Sequence, residues 1–188
     1  PNGIVFGKDA KIDVAALVAS TANITDKNFM ASRYEFNIPG ASNAQIINRG
    51  NINIKQGGLV ALVAPHVENQ GVIVAKLGRV VLAAGDTFTL DLYGDDLIAL
   101  ETSSELLANT QTADGQSLKQ LISNSGTIQA DGGYVLLTTD VAKDVLDQVI
   151  NMDGYISARS AEEHDGTIVL KGGDTAEINI AGNIDVSG

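Results

Sequence analysis

The chain has 188 residues, 44% of them hydrophobic and 4% aromatic, with no Trp, no Cys and a formal net charge of −11. That is one domain's length with ample core-forming material, which excludes a disordered segment, and the lack of cysteine excludes a disulfide framework and thiol chemistry. The acidic balance disfavours nucleic acid and anionic lipid as partners, and neither a signal-peptide pattern nor an apolar run of about 18 residues is visible.

In chain order, residues 1–8 read as a Pro/Asn/Gly turn followed by a short strand over Ile4–Phe6, with Pro at the second turn position and Gly3 able to take a positive φ. Residues 11–20 alternate, with Ile12 and Val14 expected to face inward. Asp26 has the character of an N-cap for a single helical turn over residues 27–31. Residues 34–47 break the rhythm: Tyr34, Phe36 and Ile38 alternate, Pro39-Gly40 turns, and Ala44, Ile46 and Ile47 return. The expectation there is an antiparallel hairpin outside the main body.

Residues 48–92 set the pattern for the whole chain. Short Val/Ile/Leu alternations (Ile52 and Ile54, Val60 and Leu62, Val72 and Val74, Val80 and Leu82) are broken by Gly or Asn every few residues, too often for helices. Asn48-x-Gly50-x-Ile52 recurs 21 residues later as Asn69-x-Gly71-x-Ile73 and again as Asn124-x-Gly126-x-Ile128. Weaker copies follow at Met152-x-Gly154, His164-x-Gly166 and Ala181-Gly182. A second mark, Gly-Gly before a strand, falls at Gly57-Gly58, Gly132-Gly133 and Gly172-Gly173.

A period near 20 residues is the signature of a solenoid, in which each coil is too small to bury its own apolar face and must stack on a neighbour. The chain is therefore expected to be all-β, a parallel β-helix. At roughly 20 residues per coil it would form about nine coils, a rod on the order of 40 Å long.

After this stretch comes Tyr93-Gly94-Asp95-Asp96. A polymerase metal site is excluded by length and acidity, and a calcium site from Asp86, Asp91, Asp95 and Asp96 lacks the spacing of a calcium loop. Residues 105–113 and 117–122 are the least periodic and read as a loop and a short turn. Residues 140–150 carry a helical stripe (Val141, Val145, Leu146, Val149, Ile150) behind Asp140, a short helix on the flank of the solenoid. The last strands, around Ile178, Ile180, Ile184 and Val186, are in period and end without a polar cap, so the natural protein is expected to continue and the isolated rod to associate end to end.

The two histidines, His66 and His164, sit in turn-like contexts and are expected to be solvated. None of His-x-x-His, Gly-x-Ser-x-Gly or Gly-Lys-Ser/Thr occurs, so no catalytic residue, metal ligand or cofactor is assigned. Some parallel β-helices act on polysaccharides, and for that alternative only the 86–96 acidic cluster with Arg79 would serve.

Several stretches together carry a resemblance: Pro1-Asn-Gly-Ile4, Leu17-Val-Ala-Ser20, residues 57–67, Gly71-Val-Ile-Val-Ala75, residues 78–85 and Asp131-Gly-Gly-Tyr-Val-Leu-Leu-Thr138. In this combination and order the chain resembles the haemagglutination-activity, or two-partner secretion, domain of filamentous-haemagglutinin-type exoproteins. The resemblance implies a right-handed parallel β-helix, to which the residue patterns above add an extra-helical hairpin and one short flanking α-helix. It implies a structural and adhesive part of a secreted bacterial surface protein, and an outer-membrane two-partner transporter as partner. A glycan or other surface receptor is a further implied partner, and the stem of a contact-dependent toxin-delivery protein is an alternative of the same build. The chain begins at what resembles the second half of the family's Asn-Pro-Asn-Gly motif, and the resemblance assigns transporter recognition to Asn2, Gly3 and Ile4. Residues 1–188 would be one β-helix domain lacking an upstream cap and later coils.

Overall fold

The computed structural model describes residues 2–91, 97–101, 120–140, 148–174 and 176–188. Three parallel sheets wrap one core. Sheet 1 is ordered β1 (Gly3–Phe6), β5 (Gln45–Asn48), β8 (His66–Asn69), β13 (Ile122–Asn124), β16 (Ile150–Met152) and β19 (Ile178–Ile180). Sheet 2 is ordered β2 (Lys11–Val14), β6 (Asn51–Ile54), β9 (Val72–Val74), β14 (Thr127–Gln129), β17 (Tyr155–Ser157) and β20 (Asn183–Asp185). Sheet 3 runs β3 (Leu17–Ser20), β7 (Leu59–Ala64), β10 (Arg79–Ala84), β15 (Tyr134–Thr139) and β18 (Thr167–Lys171). Each of the first five coils contributes one strand to each face and the last contributes β19 and β20, so the chain forms a parallel β-helix.

The coils number fewer than the period implied. The described strands make sheets of six, six and five, so at about 4.8 Å per rung the stack is roughly 25 Å high rather than 40 Å. The reason is insertion: the step from Asn48 to Asn69 is 21 residues, but from Asn69 to Asn124 it is 55.

Register explains the core. On sheet 2 the inward position is isoleucine in every rung: Ile12, Ile52, Ile73, Ile128, Ile156 and Ile184 are successive partners. Sheet 1 stacks Ile4, Ile46, Val67, Ile122, Ile150 and Ile178 in the same way. Ile52, Ile73, Ile128 and Ile156 are at most 1% exposed, and burying each is worth about 1.5–3 kcal/mol. Val72 and Val74 point the other way and are half-buried.

The corners explain the Asn and Gly. Asn48, Asn69 and Asn124 are fully buried and bonded in series: Asn48 Nδ2 donates to Asn69 Oδ1 (2.8 Å) and Asn69 Nδ2 to Asn124 Oδ1 (2.7 Å). Asn124 Nδ2 then meets the Met152 sulfur at 3.3 Å. Gly50, Gly71, Gly126 and Gly154 stack directly above this ladder. A Cβ on Gly71 would run into the Gly50 carbonyl, and one on Gly126 into that of Gly71. His164-x-Gly166 breaks the rule, because Thr167 pairs with Tyr134 and Gly166 therefore turns into sheet 3, not sheet 2. Gly172-Gly173 likewise precedes sheet 1 rather than a sheet 3 strand.

Outside the solenoid lies a small antiparallel sheet ordered β12 (Ile98–Glu101), β11 (Thr87–Leu90) and β4 (Glu35–Phe36). The extra-helical hairpin is thus β11–β12. The expected hairpin within residues 34–47 divides between two layers: Ile46 is needed in the core, so Gln45–Asn48 joins sheet 1, while Phe36 pairs with Phe88 of β11. The two rings stack with centroids 4.4 Å apart and planes at 7°. This layer covers the outer face of β7 and β10, making a second apolar cluster with Ala61, Val63, Val81 and Ala83. A short helix, α1 (Asp26–Met30), is capped by Thr25, whose hydroxyl accepts from Asn28 N at 3.1 Å, one residue earlier than expected.

The expected helix over residues 140–150 falls mostly on residues 141–147, outside the described residues. Its last two stripe positions are solenoid core: Val149 and Ile150 are fully buried and Ile150 opens β16. The loop expected over residues 105–113 also lies outside the described residues, as does the first half, residues 117–119, of the turn expected over 117–122. Leu121 and Ile122 belong to the core.

Candidate functional site

Asn2, Gly3 and Ile4 lie at the edge of sheet 1, where β1 pairs only with β5 among the described residues. Asn2 and Gly3 are exposed, whereas Ile4 is half-buried on Ile46 and packs against the core. A Cβ on Gly3, at φ 150°, would come within 3.0 Å of the Gln45 carbonyl oxygen. The three are therefore not one surface. Ile4 anchors the strand, and Asn2 and Gly3 are exposed. Val5 is 57% exposed beside them.

Among the described residues, Arg79, Asp86 and Asp91 are not gathered into one site. Arg79 opens β10, and Asp86 lies two residues beyond its other end, buried at 5% exposure. Asp91 is exposed past β11, and Asp95 and Asp96 lie outside the described residues. Among the described residues, no three His, Cys, Asp or Glu side chains are grouped to hold a metal.

His66 is not a solvated turn residue. It opens β8, is 9% exposed, and its Nδ1 finds no hydrogen-bond partner among the described residues. Burial lowers its pKa below the ordinary histidine value, against the opposing pull of Glu68 and of the backbone at Gln120 and Leu121. Its position follows from register, since Gln45 pairs with His66 in sheet 1. His164 is exposed in a tight turn, bridged to Ala161.

Among the described residues, a linked charged group lies on the corner between sheets 2 and 3. Asp131 takes Arg159 Nη2 at 2.8 Å, the Arg159 backbone N at 3.1 Å and the Ser157 hydroxyl at 2.5 Å. The Arg159 guanidinium, foremost, and the Ser157 hydroxyl hold the Asp131 carboxyl down at about 2. Asp185, one rung on, lies 4.0 Å from Arg159 Nε and accepts from Tyr155 OH at 3.2 Å. The group is a tie between rungs.

What sequence reasoning missed is a groove of 380 Å³ on the outer face of sheet 3, where the small sheet stops. Its floor is Leu136 and Val169, its wall Leu97 and Ile98, and Arg79, Tyr134 and Lys171 stand around it. A second hollow of 350 Å³ continues it past Leu100 and Thr138 to Asp140. Arg79 and Tyr134 each follow a corner glycine (Gly78, Gly133) and are register partners. That shared place after glycine was the available signal.

The model of the TPS secretion domain family matches residues 1–186. Among solved structures, the crystal structure of the HMW1 secretion domain from Haemophilus influenzae is similar at a TM-score of 0.73 and 28% identity. The match covers 97% of this chain and 44% of that one, so the chain spans less than half the length of that protein. No curated protein matches. Neither the polysaccharide-acting enzyme nor the toxin-delivery stem is favoured by these likenesses.

Proposed function

The chain belongs to the TPS secretion domain family, and from that premise we propose that it directs the export of a longer exoprotein through an outer-membrane two-partner transporter, with Asn2 and Gly3 presented to that transporter and Ile4 holding their strand in place. The family match along residues 1–186 carries this reading. Supporting it, Asn2 and Gly3 are exposed at a sheet edge where a partner has access to backbone as well as side chains. An adhesive role at the bacterial surface, with a glycan or protein receptor, belongs to the whole exoprotein. Residues 1–188 act within it as a single β-helix domain and carry no catalytic step. Stacking of further coils on β18–β20, or end-to-end self-association in their place, fits the exposed Ile180 (51%) and Val186 (54%).

The test is binding of the purified chain to the soluble periplasmic part of its transporter. Asn2→Ala is expected to weaken binding about tenfold or more, as loss of a contact worth roughly 1.4 kcal/mol would, with an unchanged melting temperature. Equal binding by wild type and variant would remove Asn2 from the recognition site.

A further inference from the structure

We propose that the groove on sheet 3 is a strand-docking site, in which an extended segment of another protein, alternating apolar and acidic residues, pairs with the edge of β12 that no described strand occupies. The inference concerns a different face from Asn2–Ile4 and does not depend on how the transporter is recognised.

The hydrogen-bonding sense of β12 follows from two contacts. Leu90 N donates to Tyr34 O (3.0 Å) on the β4 side, while Asp91 N donates to Leu97 O (3.1 Å) on the β12 side. Backbone groups alternate along an antiparallel strand, so Thr87, Thr89 and Asp91 bond β12 and are answered by Glu101, Ala99 and Leu97. The N–H and C=O groups of Ile98 and Leu100 therefore point to the other edge, where no described strand pairs with them. Both residues line the hollow. Unpaired edges of this kind are templates for an added strand.

The floor beneath that edge fits the same occupant. The outward row Ala61, Val81, Leu136, Val169 crosses sheet 3. The small sheet packs over its first members, and the row ends at half-buried Val169 in the groove. A strand laid about 4.8 Å beyond β12 would set alternate side chains on Leu136 and Val169. Charge selects the rest. Arg79 and Lys171, both exposed at the groove, have no ion pair among the described residues, in a chain of net charge −11. The bordering acids are Asp140, at the far mouth, and Glu101, bonded to the Thr87 hydroxyl at 3.3 Å.

Hydrogen exchange and amide chemical shifts of the intact chain, titrated with a capped Glu-Val-Glu-Val-Glu-Val peptide, test this. In the free chain the Ile98 and Leu100 amides should exchange quickly and the Ala99 amide slowly. The peptide should slow the first two at least about tenfold, and Lys-Val-Lys-Val-Lys-Val should not. Arg79→Glu with Lys171→Glu, on exposed positions that leave melting unchanged, should weaken the acidic peptide about tenfold or more. The proposal is overturned if Ile98 and Leu100 are already as protected as Ala99 in the free chain, since the edge is then filled by the chain itself. Protection that grows with protein concentration would make the occupant a second copy and overturn it too, as would equal response to both peptides or none at millimolar peptide.

Discussion

Replacing Asn69 with alanine should be far more damaging than its small volume suggests. Asn69 is the middle of the buried ladder: it accepts from Asn48 Nδ2 and donates to Asn124 Oδ1, at 2.8 and 2.7 Å. Removing it strands one donor and one acceptor where water has no access, since all three residues are 0% exposed. Each unsatisfied buried group costs about 1–3 kcal/mol, so the loss should be roughly 2–6 kcal/mol, a large share of the ~5–15 kcal/mol that holds a domain folded. Asn124→Ala should cost less, about 1–3 kcal/mol, because the other neighbours it abandons are the weakly accepting Met152 sulfur and the Gly126 carbonyl at a long 3.5 Å. Asn53→Ala, at an exposed outward position of β6, should fall within about 0.5 kcal/mol of wild type. Urea unfolding followed by circular dichroism gives all three values. If Asn69→Ala loses no more than Asn53→Ala, the ladder is not a source of stability and the reasoning fails.

Ile73→Asp should lose several kcal/mol, because a carboxylate at a fully buried position must stay unpaired or take up a proton; Val72→Asp, on the half-buried outward side, should lose much less, and equal losses in thermal melts would show the strand phase to be wrong. Gly71→Ala should be strongly destabilising, because its Cβ meets the Gly50 carbonyl, while Gly7→Ala, with nothing within 4 Å, should be close to neutral; matched melting curves would refute the glycine stack. Asp131 has its folded pKa depressed to about 2 from 3.8, so its contribution is present above pH 3.8 and is lost as pH falls towards 2. Arg159→Gln should move the Asp131 titration, read by carboxyl carbon shifts, back towards 3.8 and flatten the stability slope in that window; an unmoved titration would separate Asp131 from Arg159.

The solenoid was legible because its corners impose chemistry on the sequence. Only glycine lets one coil's turn sit on the carbonyl of the last, and only a side chain that both donates and accepts can continue a ladder as Asn48, Asn69 and Asn124 do. What lies between the corners was not legible in the same way. The 55 residues from Asn69 to Asn124 hide one missing rung after another from a period count. Phe36 finds its partner at Phe88, beyond two intervening coils, and no local pattern announces that pairing. Of the helical stripe at residues 140–150, Val149 and Ile150 are inward solenoid positions around a corner, where a few residues can mimic helical spacing, while residues 141–147 lie outside the described residues. His66 looked like a turn because it follows Pro65, and only sheet register places it inside. The groove needed three distant residues, Arg79 with its register partner Tyr134, and Lys171, the partner of Thr138, to be brought to one face of sheet 3 before it existed at all.

Export itself is the most direct measurement. The chain, made behind a secretory signal peptide in Gram-negative cells, should reach the medium when its outer-membrane transporter is co-produced and stay in the periplasm without it. Appearance outside the cell to the same extent with and without the transporter, or retention in both cases, would contradict a secretion domain.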